Sequence, residues 1–405
     1  MTVTPSAPTS APAVPQSPDE AFAAAHAYAA RIAPTAADRD RERRLPLAEL
    51  EDLARTGLLA LTVPTRFGGP GADRRTVVEV FRIISAADPA IGQIPQNHYQ
   101  FLDILLRYGT EAQQRLILAE VLRGARLGNA VSERTGDRRG PLQTRLRHTP
   151  EGLRLTGRKY YSTGALTAQW VPVLAGVEDD GGIATVYLPR ETPGLTIDQD
   201  WTAFGQRATV SGTTILDEVA VEPGWVVRFP GKDGEQDTMA AYGQILHAAV
   251  DVGLARGALD DAVHFVTTRA RPALDAGVER AVDEPHLRLR FGQLLTRLHA
   301  AEALLERAAA LLDAADTDPA PSPESVTAAR LAVAEAKAYA GESALEISSD
   351  SLDVLGASAT GEELGLDRHW RNARTHTLHD ANRFKYVHVG THLLTGEAPA
   401  FSLVL

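Results

Sequence analysis

Residues 152–164 read GLRLTGRKYYSTG. Leu153 and Leu155 alternate with Arg154 and Thr156, the period of two expected of a half-buried strand. Glu151-Gly152 supplies a turn back to LQTRLRHTP (142–150), which alternates in the same way, so the two runs predict a hairpin. Downstream, WVPVLAGV (170–177) and GIATVYLP (182–189) read as buried strands joined by a turn over residues 178–182, and SGTTILDEVAVEP (211–223) as another. The period changes near Gly128, and short strands over about 100 residues predict a sandwich or barrel. We assign this domain to residues 128–237, closing with a polar linker at Pro230-Gly231-Lys232-Asp233-Gly234.

Helical spacing lies on both sides. In residues 19–127, AFAAAHAYAARIA, LPLAELEDLARTGLLAL and TVVEVFRIISAAD repeat apolar residues every three or four positions and predict an α-helical domain. Phe67-Gly68-Gly69-Pro70-Gly71 lacks both the third glycine and the preceding strand of a dinucleotide fingerprint and reads as a turn. Residues 238–405 predict a bundle of four helices. One covers 241–270, a second runs from about Pro285 to Ala315 with a seam of Phe291, Leu294, Leu298, Ala301, Leu305, Ala308 and Leu312, and a third opens at Ser322-Pro323 and reaches Leu355. The fourth combines DRHWRNARTHTLHD (367–380) with NRFKYVHV, since no glycine or proline interrupts it before Gly390. Residues 1–18, rich in Pro, Ser, Ala and Thr and without a signal-peptide pattern, read as the disordered tail of a cytoplasmic protein.

The chain has 405 residues, a formal net charge of −11 and no cysteine. The charge opposes binding to nucleic acid or anionic membranes, and the lack of thiols excludes disulfides, iron–sulfur clusters and thiolate zinc sites. No apolar run approaches the roughly 18 residues of a membrane span.

Three polar clusters point to chemistry: Asn129 to Arg134, Lys159 to Gly164, and residues 367–380. On a helix Asn372, His376 and His379 or Asp380 would share one stripe beside Arg371 and Arg374, a grouping suited to anion binding and proton transfer. The aromatics and hydroxyls of KYYSTG suit a planar ring. Arg269 and Arg271 suit phosphate, or a helix C-terminus. Asn97 and His98 read equally as a cap with a buried histidine, or as pocket lining. No metal-ligand spacing is present. A crevice at the junction of three domains is the natural ligand site.

GNAVSER, GRKYYSTGA, DWTAFGQRATVSGT, TTRARP and DRHWRNARTHTLHD, in this order, resemble the acyl-CoA dehydrogenase superfamily. Within it the chain is similar to the flavin-dependent monooxygenases related to dibenzothiophene monooxygenase, and through ISAADPAIGQIPQNHYQF to sulfur-acquisition oxidoreductases of SfnB type. The likeness runs from about Ala21 to the C-terminus. It implies an α-domain, a β-barrel domain and a C-terminal four-helix bundle, assembled as a homotetramer, a dimer of dimers. It implies reduced FMN delivered by a separate NAD(P)H-dependent flavin reductase, with FAD as the alternative because Ser358 stands where an arginine for the phosphate is expected.

By the same resemblance Asn129, Ser132, Tyr161, Ser162 and Thr163 surround the flavin ring, with Asn97, Trp201 and Arg371 added to the cofactor set. Arg269 or Arg271 reaches the phosphate, across a subunit boundary. His376, His379 and Asp380 lie beside the oxygen-reactive carbon, where His379 would exchange a proton with a C4a-hydroperoxide, Asp380 would orient it, and Ser162 or Thr163 would bind the peroxy group. The expected reaction is oxygenation of a small sulfone, sulfonate or sulfide. The alternatives are N-oxygenation of an amine, an FAD-dependent acyl-CoA dehydrogenase with Asp380 near the place of its catalytic glutamate, and a flavin-binding scaffold without activity.

Overall fold

The computed structural model describes residues 12–134, 142–229 and 237–399. Seven helices come first: α1 (Pro18–Ile32), α2 (Ala36–Glu42), α3 (Leu47–Arg55), α4 (Arg74–Ala87), α5 (Pro89–Gln93), α6 (Gln96–Tyr108) and α7 (Glu111–Leu122). Their starts are local chemistry. Ser17 accepts from the Glu20 N–H ahead of Pro18, Asp73 caps α4, Asp88 caps α5, and Thr110 and Gln113 form a capping box on α7. Of the proposed tail, residues 1–11 lie outside the described residues, but residues 12–17 are ordered against the fold. Val14 packs on the cluster holding Ala60, Val63 and Leu118, and Pro15 is buried. The apolar pair in an otherwise polar run explains why the composition reading failed there.

Seven strands follow: β1 (Arg145–Thr149), β2 (Gly152–Lys159), β3 (Trp170–Val177), β4 (Ile183–Pro189), β5 (Leu195–Ile197), β6 (Thr214–Val221) and β7 (Val226–Arg228). The β1–β2 hairpin pairs Thr149 with Gly152 and Leu146 with Leu155. All strand pairs are antiparallel except β1 with β3. The sheet order is β5-β6-β2-β1-β3-β4-β7, an open sheet among the described residues, so the expected barrel is corrected. Each edge strand has only three residues, too little ladder to close the sheet on itself. The anticipated linker at residues 230–234 lies outside the described residues.

The C-terminal part contains α8 (Met239–Thr268), α9 (Pro285–Thr317), α10 (Pro323–Leu355), α11 (Asp367–His376) and α12 (Asn382–Thr395). The seam of α9 is buried from Leu294 to Leu312, and Ser322 caps α10. Helix α8 is the axis of the molecule, buried on nearly every side from Met239 to Leu259. It lies so close to α4 that a Cβ on Gly257 would sit 2.2 Å from the Ala86 carbonyl oxygen.

One helix was expected over 367–389; there are two. The chain turns over residues 377–381, where His379 N–H donates to the His376 carbonyl. Tertiary contacts set the break. Asn382 fits against Gly341 of α10, where a Cβ would lie 2.5 Å from the amide nitrogen, and Asp380 turns toward Lys385.

Candidate active site

The site begins where β2 ends. Lys159 is fully buried and its ammonium meets Glu133 at 2.7 Å. The Glu133 carboxylate also accepts from the N–H groups of Gln143 (2.7 Å) and Thr144 (2.9 Å). Burial alone would raise its pKa; the ammonium and the two backbone donors outweigh burial and hold it at about 2. A carboxyl depressed in the folded state contributes stability that is present above its unfolded pKa and lost as pH falls through the folded one. We expect thermal melts from about pH 5 down to about pH 2 to fall less steeply for Glu133→Gln than for the unchanged chain, with the variant less stable at neutral pH. Parallel melting curves would exclude this pair as an acid-sensitive tie.

Past Lys159 the backbone changes hand. Tyr160 N–H donates to the Ser132 carbonyl, and Tyr161 takes φ +57° and is 45% exposed. The Arg134 guanidinium lies 4.6 Å and 4.7 Å from the Tyr160 and Tyr161 ring centres, and the Trp201 indole meets Tyr161 edge-on at 6.2 Å. Asn129 donates its amide to the Tyr161 carbonyl at 3.2 Å. That bond fixes which amide atom is which, and leaves Asn129 Oδ1 buried without a partner among the described residues.

The hydroxyls face elsewhere than expected. Ser162 is fully buried and accepts from Thr214 Oγ1 at 2.8 Å, which pins the segment after β2 to β6. Thr163 Oγ1 pairs with Ser211 Oγ at 2.7 Å, and Ser211 with Thr209 at 2.8 Å. Thr209 donates to the Gln206 carbonyl, which also receives the Trp201 indole N–H. Gln206 N–H donates to Asn372 Oδ1 at 2.6 Å. One chain of hydrogen bonds thus ties the end of the sheet to α11, one turn before His376.

On α11 His369, Asn372, Ala373 and His376 form the buried face. Arg371 is committed elsewhere: it pairs with Asp40 at 2.6 Å and Asp367 at 2.7 Å and donates to the Phe204 carbonyl. Two carboxylates thus balance the charge that the sequence reading gave to a cofactor. Asn97 lies half-buried in the first turn of α6. Its neighbour His98 is structural, with Nε2 donating to the Leu59 carbonyl at 2.8 Å and Nδ1 accepting from Leu127 N–H at 3.1 Å. Arg269 and Arg271 lie exposed at the far end of α8, about 33 Å along the helix from His247 at its rise per residue. Within one chain they do not join the other residues.

Beneath α11 is a buried charge cluster that sequence reasoning missed. His376 Nδ1 lies 2.5 Å from Asp251 Oδ1, and Lys337 Nζ donates to Asp251 Oδ2 at 2.8 Å. His376 Nε2 lies 3.0 Å from His247 Nδ1, and the His247 ring meets that of His379 at a tilt, with 4.1 Å between centres. Burial works against the Asp251 charge, but His376 and Lys337 outweigh it and hold the carboxyl at about 2. Burial, then the nearby positive groups, hold His247 well below the usual imidazole range. His379 is exposed on the turn that follows α11. Asp380 does not hydrogen-bond to His379 as expected; it faces Lys385 at 3.1 Å. The missed signal was His247 and Asp251, four apart on one face of the largely apolar first half of α8, with Lys337 in the alanine-rich stretch AEAKAYA of α10.

The chain matches the acyl-CoA dehydrogenase N-terminal domain over residues 20–125 and the C-terminal domain over residues 245–384. It belongs to the acyl-CoA dehydrogenase family. Dibenzothiophene monooxygenase of Rhodococcus erythropolis is 35% identical over 397 residues, covering 94% of each chain. A probable FMNH2-dependent monooxygenase, SfnC of Pseudomonas putida, is 30% identical, covering 95% of this chain and 97% of its own. The FMN-bound crystal structure of TdsC from Paenibacillus sp. A11-2 superposes with a TM-score of 0.91 at 28% identity, over 95% of this chain and 100% of that one. Within the acyl-CoA dehydrogenase family the chain therefore stands in the flavin-dependent monooxygenase branch.

Proposed function

We propose that the recess between the end of the sheet and α11 holds reduced FMN, and that the protein uses it with dioxygen to oxygenate a small organosulfur compound. The observation that carries this reading is the pairing of an aromatic corner, Tyr161 and Trp201, with Asn129 Oδ1, a buried acceptor left without a donor. A flavin ring offers both a planar face and N–H donors, so the residues fit it. When bound, reduced FMN supplies two electrons and the site of oxygen attack. The chain's own residues do the rest. Tyr161, Trp201 and Asn129 hold and orient the ring, the hydroxyl chain from Thr163 to Gln206 stiffens its wall, and the histidines of α8 and the 377–381 turn move protons. Asp380, paired with Lys385, is poorly placed to act as the free base of a dehydrogenase.

Reduced FMN comes from a separate flavin reductase; among the described residues no helix is long and apolar enough to cross a membrane. Assembly into a homotetramer is supported by the open apolar side chains of α12, Phe384, Val387, Leu393 and Leu394. The deciding experiment supplies reduced FMN through a reductase and offers dibenzothiophene, methanesulfinate and a simple sulfone under 18O2. Label in a sulfur oxygenation product is the expected result. Flavin oxidation with no labelled product from any of them would defeat the reading.

A further inference from the structure

The buried cluster on α8 contains more order than positioning a ring requires. Asp251 has two carboxylate oxygens, and Lys337 takes Oδ2. Oδ1 must therefore accept the proton of His376 Nδ1 across 2.5 Å, which fixes the His376 tautomer. A neutral His376 then presents a bare Nε2, so the atom 3.0 Å away, His247 Nδ1, must carry a proton and donate it. His247 Nε2 is left as the one free lone pair, and among the described residues it has no hydrogen-bond partner.

We propose that Asp251, His376 and His247 form a proton relay whose working end is His247 Nε2, an acid–base group of the reaction. A proton arriving at His247 Nε2 is matched by transfer of the His247 Nδ1 proton to His376 Nε2. One proton is taken up, no electrons move, and the positive charge comes to rest on His376 directly against Asp251. Return of the proton reverses both transfers. The carboxylate thus sets the basicity of an atom two rings away, and Asp251 and His376 are positioning residues for His247.

The groups facing the relay are few. From α8 come His247 and Asp251, from α10 Lys337, from α11 His376, from the turn His379 and Asp380, and from α12 Lys385. Lys337 and Lys385 oppose a second positive charge, so the relay holds one proton at most. Burial and these cations keep His247 neutral at rest, ready to accept.

The chemical use of the relay rests on the oxygenase reading above. There reduced flavin, dioxygen and a sulfide give oxidised flavin, a sulfoxide and water. Both hydrogens of the water derive from the reduced flavin, and one of them is passed through His247 Nε2.

Two measurements separate the relay from that reading. The first needs no flavin: 15N spectra of the imidazoles in the unliganded chain, assigned with His247→Gln and His376→Gln. Both rings are expected as Nδ1–H tautomers at pH 8, taking up one proton at a shared midpoint. Asp251→Asn is expected to lower that midpoint by at least one pH unit, about a tenfold change. An Nε2–H tautomer at His247, or two independent midpoints, would overturn the relay. If Asp251→Asn fails to fold, Lys337→Met provides the opposite charge change, and the midpoint must rise. The second measurement is the pH profile of product formed per reduced FMN consumed. Its limb is expected to move with the same midpoint, and to vanish in His247→Gln. A relay present in the spectra without any sulfur oxygenation would sink the oxygenase reading alone; oxygenation whose profile ignores His247→Gln would sink the relay alone.

Discussion

His379→Ala is expected to leave flavin oxidation running while oxygenated product per reduced FMN falls by about a hundredfold, the size of a lost general acid or base. The missing product should appear as hydrogen peroxide. His379 is exposed, its ring centre lies 4.1 Å from that of His247, and its imidazole nitrogens have no hydrogen-bond partner among the described residues, so the ring is free to exchange a proton. Crowding by protein lowers its basicity, the Asp380 charge opposes that, and the net direction is downward, so it is neutral near pH 7. Alanine removes the ring and admits water to the recess. The check is to quantify peroxide and product from the same reaction; an unaltered ratio would remove His379 from the chemistry.

Gly205→Ala is expected to damage the site from outside it. A Cβ there would lie 1.9 Å from the Arg371 carbonyl oxygen and 2.6 Å from Thr375 Oγ1. Rotamer changes cannot relieve a clash with main chain, so the loop carrying Trp201 must back away from α11. That breaks the 2.6 Å bond from Gln206 N–H to Asn372 and loosens the hydroxyl chain to Thr163. Overpacking of this kind costs about 1–3 kcal/mol, equivalent to a roughly five- to hundredfold loss of FMN affinity if it is expressed in binding. Gly224→Ala is the control, since nothing lies within 4 Å of its added methyl. FMN titration of the two variants decides it, and equal affinities would show that the loop does not hold the site together.

Periodicity located the long elements because they are stabilised by burying one continuous stripe. The α9 seam from Leu294 to Leu312 and the β1–β2 hairpin with its Thr149–Gly152 register follow from such patterns. The helix over residues 367–376 was legible for the same reason, since Asn372, Ala373 and His376 recur at helical spacing. Its end was not. No glycine or proline announces the turn at 377–381; Gly341 of a different helix does, by admitting Asn382.

The local sequence by itself determined where most helices and strands lie, though not the break after His376, and that polar groups collect in three segments, because spacing and caps act over a few residues. Only the tertiary structure decided where those groups point. It turned Ser162 into the sheet, gave Arg371 to Asp40 and Asp367, and brought Asp251 against His376 with Lys337 on the other carboxylate oxygen. A buried charge must find a partner wherever the fold supplies one, and that partner is set by packing in space, which no short-range pattern along the chain records.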